Sequence, residues 1–582
     1  MHLALIDWAI LGAYLAASVA VGIYFSRRAG RSVDDFFVAN RSLPWWLAGM
    51  TMVASSFAID TPLGITGLVA RNGIQGVWFA WAFVLSAAGT LGAFIFASLL
   101  RRSETITIAE LVELRYAGPQ AAFLRFFKSV YFGLLVNAIT LGSIIKAVWT
   151  VTEVVLGWNP HLTLGVILLF TVFYSTMSGM WGIAATDVMQ FGIGMLGLVV
   201  LTVYSLDSVG GVGGIVNGFV DRYGAEEAAR RLQFFPRPGQ AFFETFLVFI
   251  TLKWWGNPPP AIHQRIVSAK NEKHASASTL VFCILQFAVN YWPMILIAMV
   301  SLVAFPELAT ADAEQGYPML IVKLIPTGLL GLLLAAMMAA FMSTVDTHLN
   351  YGASFMVNDI YRRFLRKNED EKHYVRASRA STLIMLAIAI VVAYNLDSVQ
   401  QAWYYLSTMT AGYGFLMVAR WFWWRINAWS EIAALAGSGI ASTLMSPRFA
   451  ELMGYGDLVD VSFGWRFLTV VGLSTLCWVV ATLATAPDPD EHLVRFCQKV
   501  KPFPTFWGPI YERYPDLGWN PYFKRSVAHW ALGSVAVFGI CFGIGNLIFG
   551  TIGAGLGLLA LAIACFTTIG VTWRDAEAPG AG

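Results

Sequence analysis

Apolar windows about twenty residues long recur from one end of this 582-residue chain to the other, and they limit what it can fold into. A bilayer's hydrocarbon core is about 30 Å thick, so a helix needs roughly 20 apolar residues to cross it. Such windows fall near 4–25, 44–70, 74–99, 120–149, 160–180, 182–205, 240–260, 276–304, 326–357, 378–396, 398–423, 427–446, 462–485, 527–549 and 552–573. The expectation is an all-α polytopic membrane protein with about fifteen transmembrane helices. Composition agrees. Only 13% of residues are charged, against about 25% in ordinary soluble domains. The first stretch lacks a basic leader and a small-residue cleavage site, so it reads as a retained span. Five cysteines without metal-type spacing read as small core residues with no structural disulfide.

Basic residues orient the spans. Loops 26–43, 100–119, 261–275, 358–377 and 486–526 carry Arg27, Arg28, Arg31, Arg41, Arg101, Arg102, Arg115, Arg265, Lys270, Lys273, Arg362, Arg363, Arg366, Arg495 and Lys499, among others. The alternate short loops hold Arg71 alone. The N-terminus is therefore expected outside and the C-terminus inside. The polar, aromatic and proline-rich loop 486–526 reads as cytoplasmic and lying on the membrane surface.

Two spans carry interruptions at membrane depth. The second, VASSFAIDTPLGITG (53–67), places Ser55, Ser56, Asp60, Thr61, Pro62 and Gly64 mid-membrane. The seventh, LKWWGNPPPAIHQR (252–265), has Gly256, Asn257 and three prolines. Proline removes a donor and clashes with the preceding turn, and in hydrocarbon the freed carbonyls are tolerated only against a protein cavity. Spans 2–6 and 7–11 form two sets of five, each opening with an interrupted helix. An odd set re-enters the membrane from the opposite side, as a five-plus-five inverted repeat requires. The expected organisation is a first helix and loop (1–43), a first five-helix repeat (44–205), an exterior loop (206–239), a second repeat (240–425), two added helices (426–485), a cytoplasmic loop (486–526) and two C-terminal helices with a short tail (527–582).

Ionisable groups at depth mark transport pathways. The candidates are Asp60, Lys146, Asp187, Lys253, Asp346 and His348. Asp346 follows the Ser343–Thr344 pair in AAFMSTVDTHLN (339–350), and hydroxyls, carboxylate and freed carbonyls make a hard oxygen set for a monovalent cation. The same hydroxyls can instead bond to their own helix, and His348 reads either as a proton relay or as a packing histidine.

These residues, with VANRSLPWW (38–46), STMSGMWGIAATDVMQ (175–190), QRIVSAKNEKHA (264–275) and HLVRFCQKVKP (492–502), resemble the sodium:solute symporter family over roughly residues 5–510. That family includes bacterial galactose, proline and sialic acid transporters and the animal sodium/glucose cotransporters. The resemblance implies a LeuT-type core with extra flanking helices, alternating access and sodium as coupling ion. It assigns the sodium site to carbonyls of Ala54, Phe57 and Ala340 with the hydroxyls of Ser343 and Thr344. Asp187 matches an aspartate on the ion's cytoplasmic route, and Asp346 belongs to an MST-x-D pattern of proline-like branches. The sugar-binding glutamine of the galactose transporters aligns with Thr61 and their third-span glutamate with about Ala80, so the sugar pattern is not retained. Candidate substrate residues are Ser56, Asp60, Thr61, Lys253, Trp255 and Asn257, and the substrate is a small polar sugar, amino acid or organic acid.

The expected partners are this small-molecule substrate, sodium and the lipid bilayer of a bacterial inner (plasma) membrane, with no nucleic acid. The chain reads as a transporter and not an enzyme, because no catalytic cluster stands out. A proton-coupled symporter of the same fold is the alternative; a passive channel fits the interrupted helices less well.

Overall fold

The structure is a computed structural model that describes residues 3–29, 32–252, 260–308, 310–396, 398–505, 507–518 and 520–574. Among them every named element is helical, and one isolated bridge joins Leu43 to Ala269. In chain order the principal helices are α1 (Leu5–Ala29), α2 (Trp45–Ser56), α3 (Asp60–Asn72), α4 (Gly118–Leu156), α5 (Pro160–Val209), α6 (Phe243–Thr251) and α7 (Pro260–Ser268). They continue with α8 (Glu272–Ala304), α9 (Leu329–Ser354), α10 (Glu371–Tyr394), α11 (Val399–Ala419), α12 (Ala428–Leu444), α13 (Phe463–Ala484), α14 (Phe523–Ile548) and α15 (Ile552–Arg574). Among the described residues, ten helical stretches are long and apolar enough to cross a membrane. The chain is a multi-pass membrane protein.

The expected spans 160–180 and 182–205 are one continuous helix, the 50-residue α5. No turn interrupts the backbone near residue 181, because that stretch lacks proline and its glycines are tolerated within helical geometry. At about 1.5 Å per residue, α5 has the length of two crossings. It packs along α1, α9 and α2 and forms the spine of the bundle. The expected break in the second span is present: α2 ends at Ser56 and α3 begins at Asp60.

A further break lies in 74–99, which was expected to be a regular span. Helical turns stop at Leu85 and resume at Thr90. The hydroxyls of Ser86 and Thr90 donate to the Phe83 and Val84 carbonyls, both at 2.7 Å, so the freed acceptors are satisfied locally. A β-carbon on Gly89 would stand 2.3 Å from those two carbonyl oxygens, so only glycine fits the bend. Helix α14 braces it: Ser534 shares a 2.7 Å hydroxyl contact with Thr90, and the Trp292 indole on α8 donates to the Cys541 carbonyl at 2.7 Å.

Two buried polar joints lock the bundle. Asp7 on α1 accepts from the Gly328 and Gly331 amides at 3.0 and 2.7 Å, placing a carboxylate on the otherwise unsatisfied donors at the head of α9. At the other end, Glu431 on α12 meets Lys128 of α4 at 3.1 Å and Arg420 at 3.0 Å. It also accepts from the Tyr116 and Tyr413 hydroxyls at 2.8 and 2.9 Å. Part of segment 486–526 packs into this corner. Buried Trp507 donates to the Trp421 carbonyl at 2.9 Å, and its ring and that of Phe496 flank the Arg115 guanidinium at 5.0 and 5.3 Å.

Candidate ion and solute site

The second span opens where α2 gives way to α3. Phe57 leaves helical geometry (φ −87°, ψ 71°), and the helix restarts three residues later. Thr61 closes the gap, because its hydroxyl donates to the Ser56 carbonyl and accepts from the Ala58 amide, each at 3.3 Å. Gly194 of α5 makes room for the Phe57 ring, since a β-carbon there would stand 2.5 Å from it. Phe57 and Ala340 line one small cavity with Ile59, Pro62 and Met337.

Helix α9 brings its hydroxyl pair to this opening. Ser343 Oγ stands 3.0 Å from the Ala54 carbonyl and 3.2 Å from the Ala340 carbonyl, and Thr344 Oγ1 stands 3.0 Å from Ala340 O. Both side chains are buried. The two readings of these hydroxyls therefore coincide: they bond to their own helix, and Ser343 also reaches across to α2. An ion of calcium-like radius holds oxygens at about 2.3–2.6 Å, and oxygens at right angles around it stand about 3.3–3.7 Å apart. The contacts here are hydrogen-bond distances somewhat shorter than that, and it is the chemistry of the set, hard oxygens throughout, that suits a sodium ion.

One helical turn further along, toward the ends of α2 and α9 that carry the Arg-rich loops 26–43 and 358–377, lies a buried charged cluster. Thr51, three residues before Ala54, donates its hydroxyl to Asp187 Oδ2 of α5. Arg265 of α7 stands 3.6 Å from the same oxygen, donates to Thr51 Oγ1 at 3.2 Å and to Thr347 Oγ1 at 2.5 Å. Thr347 is three residues after Thr344. Asp187, Arg265 and Asp346 are fully buried, and Asp346 lies within electrostatic reach of Arg265. Arg265 was counted among loop charges in the orientation argument; it turns inward instead, because a buried carboxylate demands a partner. Thr51 and Thr347 had no signal beyond their helical spacing from the site.

On the other side of the break, Asp60 opens α3. Its Oδ2 accepts from the Trp403 indole of α11 at 3.0 Å and from the Ser143 hydroxyl of α4 at 3.3 Å. Trp403 lies across Gly64, where a β-carbon would stand 2.5 Å from its ring, and stacks on Phe79 with centroids 6.1 Å apart. Ser56 contributes its carbonyl, which also accepts from Gln286 of α8 at 3.3 Å. Gln286, Asn290 and Tyr291 come from or follow the widened π turn Ile284–Asn290, another feature the linear pattern does not reveal. His348 is a packing residue: Nδ1 lies 2.7 Å from Asn137 Oδ1. Lys146 directs its ammonium over the Trp149 ring at 5.3 Å. Lys253, Trp255 and Asn257 lie outside the described residues.

A multi-pass helical bundle whose span breaks beside a hydroxyl pair on a second helix defines the class of LeuT-like ion-coupled transporters. The chain belongs to the sodium:solute symporter family, whose model matches residues 36–439. It is 27% identical over 547 residues to sodium/glucose cotransporter 4 of Danio rerio, covering 84% of this chain and 80% of that protein. It is 26% identical over 556 residues to sodium/glucose cotransporter 1 of Oryctolagus cuniculus, covering 85% and 81%. Its fold matches that of a substrate-bound, outward-open Na+-coupled sialic acid symporter with a TM-score of 0.67 at 19% identity, over 84% of this chain and 99% of the other.

Proposed function

We propose that this chain carries a small polar organic solute across a bacterial plasma membrane together with sodium, by alternating access. The repeats of the mechanism are 44–205 and 240–425, opened by the two interrupted spans. The observation that carries the reading is the 3.0 Å contact between Ser343 Oγ on α9 and the Ala54 carbonyl at the end of α2.

In the ion-free geometry this hydroxyl spends its proton on the carbonyl that sodium would use. Sodium entering between the two turns the hydroxyl lone pair and the carbonyls of Ala54, Phe57 and Ala340 onto itself, with Thr344 completing the set. The ion thereby ties α9 to the lower half of the broken span and fixes residues 56–61, which face the solute. A solute that binds only the fixed shape gains affinity from sodium, and by linkage sodium gains the same factor from the solute.

The Asp187–Arg265 pair stands one turn beyond the sodium site and closes its route to the cytoplasm, as a buried carboxylate that can receive the departing ion. Asp187→Asn removes that charge from beside Arg265. Sodium affinity is expected to fall about tenfold, roughly 1.4 kcal/mol, or turnover to slow by a similar factor. A sodium titration of transport checks this, and wild-type midpoint and turnover in the variant would remove Asp187 from the ion path.

A further inference from the structure

Asp60 is a buried carboxylate that forms no ion pair among the described residues, and it sits on the lip of the broken span. Such a group is costly to keep charged unless something supplies the missing positive charge. Among the described residues only neutral donors reach it. The Trp403 indole and the Ser143 hydroxyl both bond to Oδ2, the Asp60 backbone amide adds one more neutral donor to the carboxylate, and among the described residues no side chain bonds to Oδ1. Lys146, one turn along α4 from Ser143, points its ammonium at Trp149. Glu314, the ionisable neighbour nearest in effect, is itself acidic.

A second group beside the same break is also a lone acceptor. Gln286 donates from Nε2 to the Ser56 carbonyl at 3.3 Å, which fixes the orientation of its amide. Its Oε1 must then accept, and it does so from Asn290 Nδ2 at 3.3 Å. That fixes Asn290 in turn and leaves Asn290 Oδ1 buried without a hydrogen-bond partner. The amide chain thus ends on an acceptor, and Tyr291 beside it lies within electrostatic reach of Asp60.

We propose that Asp60 receives a protonated amine of the transported solute, so that the substrate class is an amine-bearing polar molecule. Trp403 and Ser143 hold Oδ2 and keep the carboxylate aimed, Oδ1 accepts from the ammonium, and Asn290 Oδ1 serves a second donor of the solute. The face of the Trp403 indole, stacked on Phe79, adds the electron-rich surface that cations favour. This inference rests on the symport reading above, because it takes the break at 57–59 to be the solute site.

The test uses the full chain purified in detergent, with thermal unfolding followed in sodium chloride and in potassium chloride. Two sets of probes differ within each set mainly in charge: glucosamine, glucose and glucuronate, then ethanolamine, ethylene glycol and glycolate. The amine of at least one set is expected to stabilise the protein in sodium only, at concentrations at least tenfold below its neutral and acidic counterparts. Asp60→Asn should lose that preference and Asp60→Glu, which keeps the charge, should retain it, with a monodisperse elution profile showing that both fold. Silent amines, neutral or acidic probes that match them, or an Asp60→Asn protein that still prefers amines would each overturn the inference. A wild-type protein indifferent to sodium would instead overturn the symport reading.

Discussion

Replacing Ser343 and Thr344 together by alanine is expected to abolish the sodium dependence of transport while leaving the protein folded in the membrane. The two hydroxyls contribute the only side-chain oxygens of the proposed ion site, and their removal leaves three carbonyls facing a small apolar space. Losing two of five oxygen ligands is expected to weaken sodium binding by at least a hundredfold, about 2.7 kcal/mol. Folding is spared because the Thr344 hydroxyl bonds within α9, to the Ala340 carbonyl, and Ser343 shares its hydroxyl between that carbonyl and Ala54. The cross-helix bond to Ala54 is worth only about 1 kcal/mol net. The check is sodium-stimulated uptake by proteoliposomes alongside the yield of monodisperse protein. Sodium stimulation equal to wild type in the double variant refutes the site.

The largest loss of stability is expected from Glu431→Gln. Lys128, Arg420 and Glu431 are all buried, and the carboxylate faces both cations while accepting from Tyr116 and Tyr413. Neutralising it leaves two buried like charges uncompensated, a change that costs about 3–5 kcal/mol. The corner joins α4, α11, α12 and, through Arg115, the segment around Trp507, so the variant should unfold at a clearly lower temperature in detergent. Adding Lys128→Met to Glu431→Gln removes one of the stranded charges and should recover part of the loss, since residues in one network do not act additively. A Glu431→Gln protein as stable as wild type would mean that the corner is held by its apolar packing instead.

The meeting of α2 and α9 was legible because backbone breaks leave chemical marks. Pro62, Gly64 and the hydroxyls of 53–67 announce an interruption at membrane depth, and the Ser343–Thr344 pair is polar where only function tolerates polarity. The motif resemblance then put Ala54 and Ser343 on one site, and they are in contact. What failed to show was everything set by partners distant in sequence. Arg265 and Arg115 look like loop charges, yet burial against Asp187 and against Phe496 and Trp507 decides their place. The break at Ser86–Thr90 has no proline; small residues, two hydroxyls and Gly89 make it, and such a run also reads as ordinary helix. The turn expected near residue 181 rested on span length alone, and α5 runs through it. Asp60 stood out as an ion at depth, but that its described partners are the neutral Ser143 and Trp403 emerges only from the fold.

Equilibrium binding of radioactive sodium to the purified protein, in potassium buffer and without any added solute, tests the ion cage itself. Saturable binding is predicted for the wild type, and its disappearance when the alcohol side chains of α9 are removed. Undiminished binding by that variant would contradict the account.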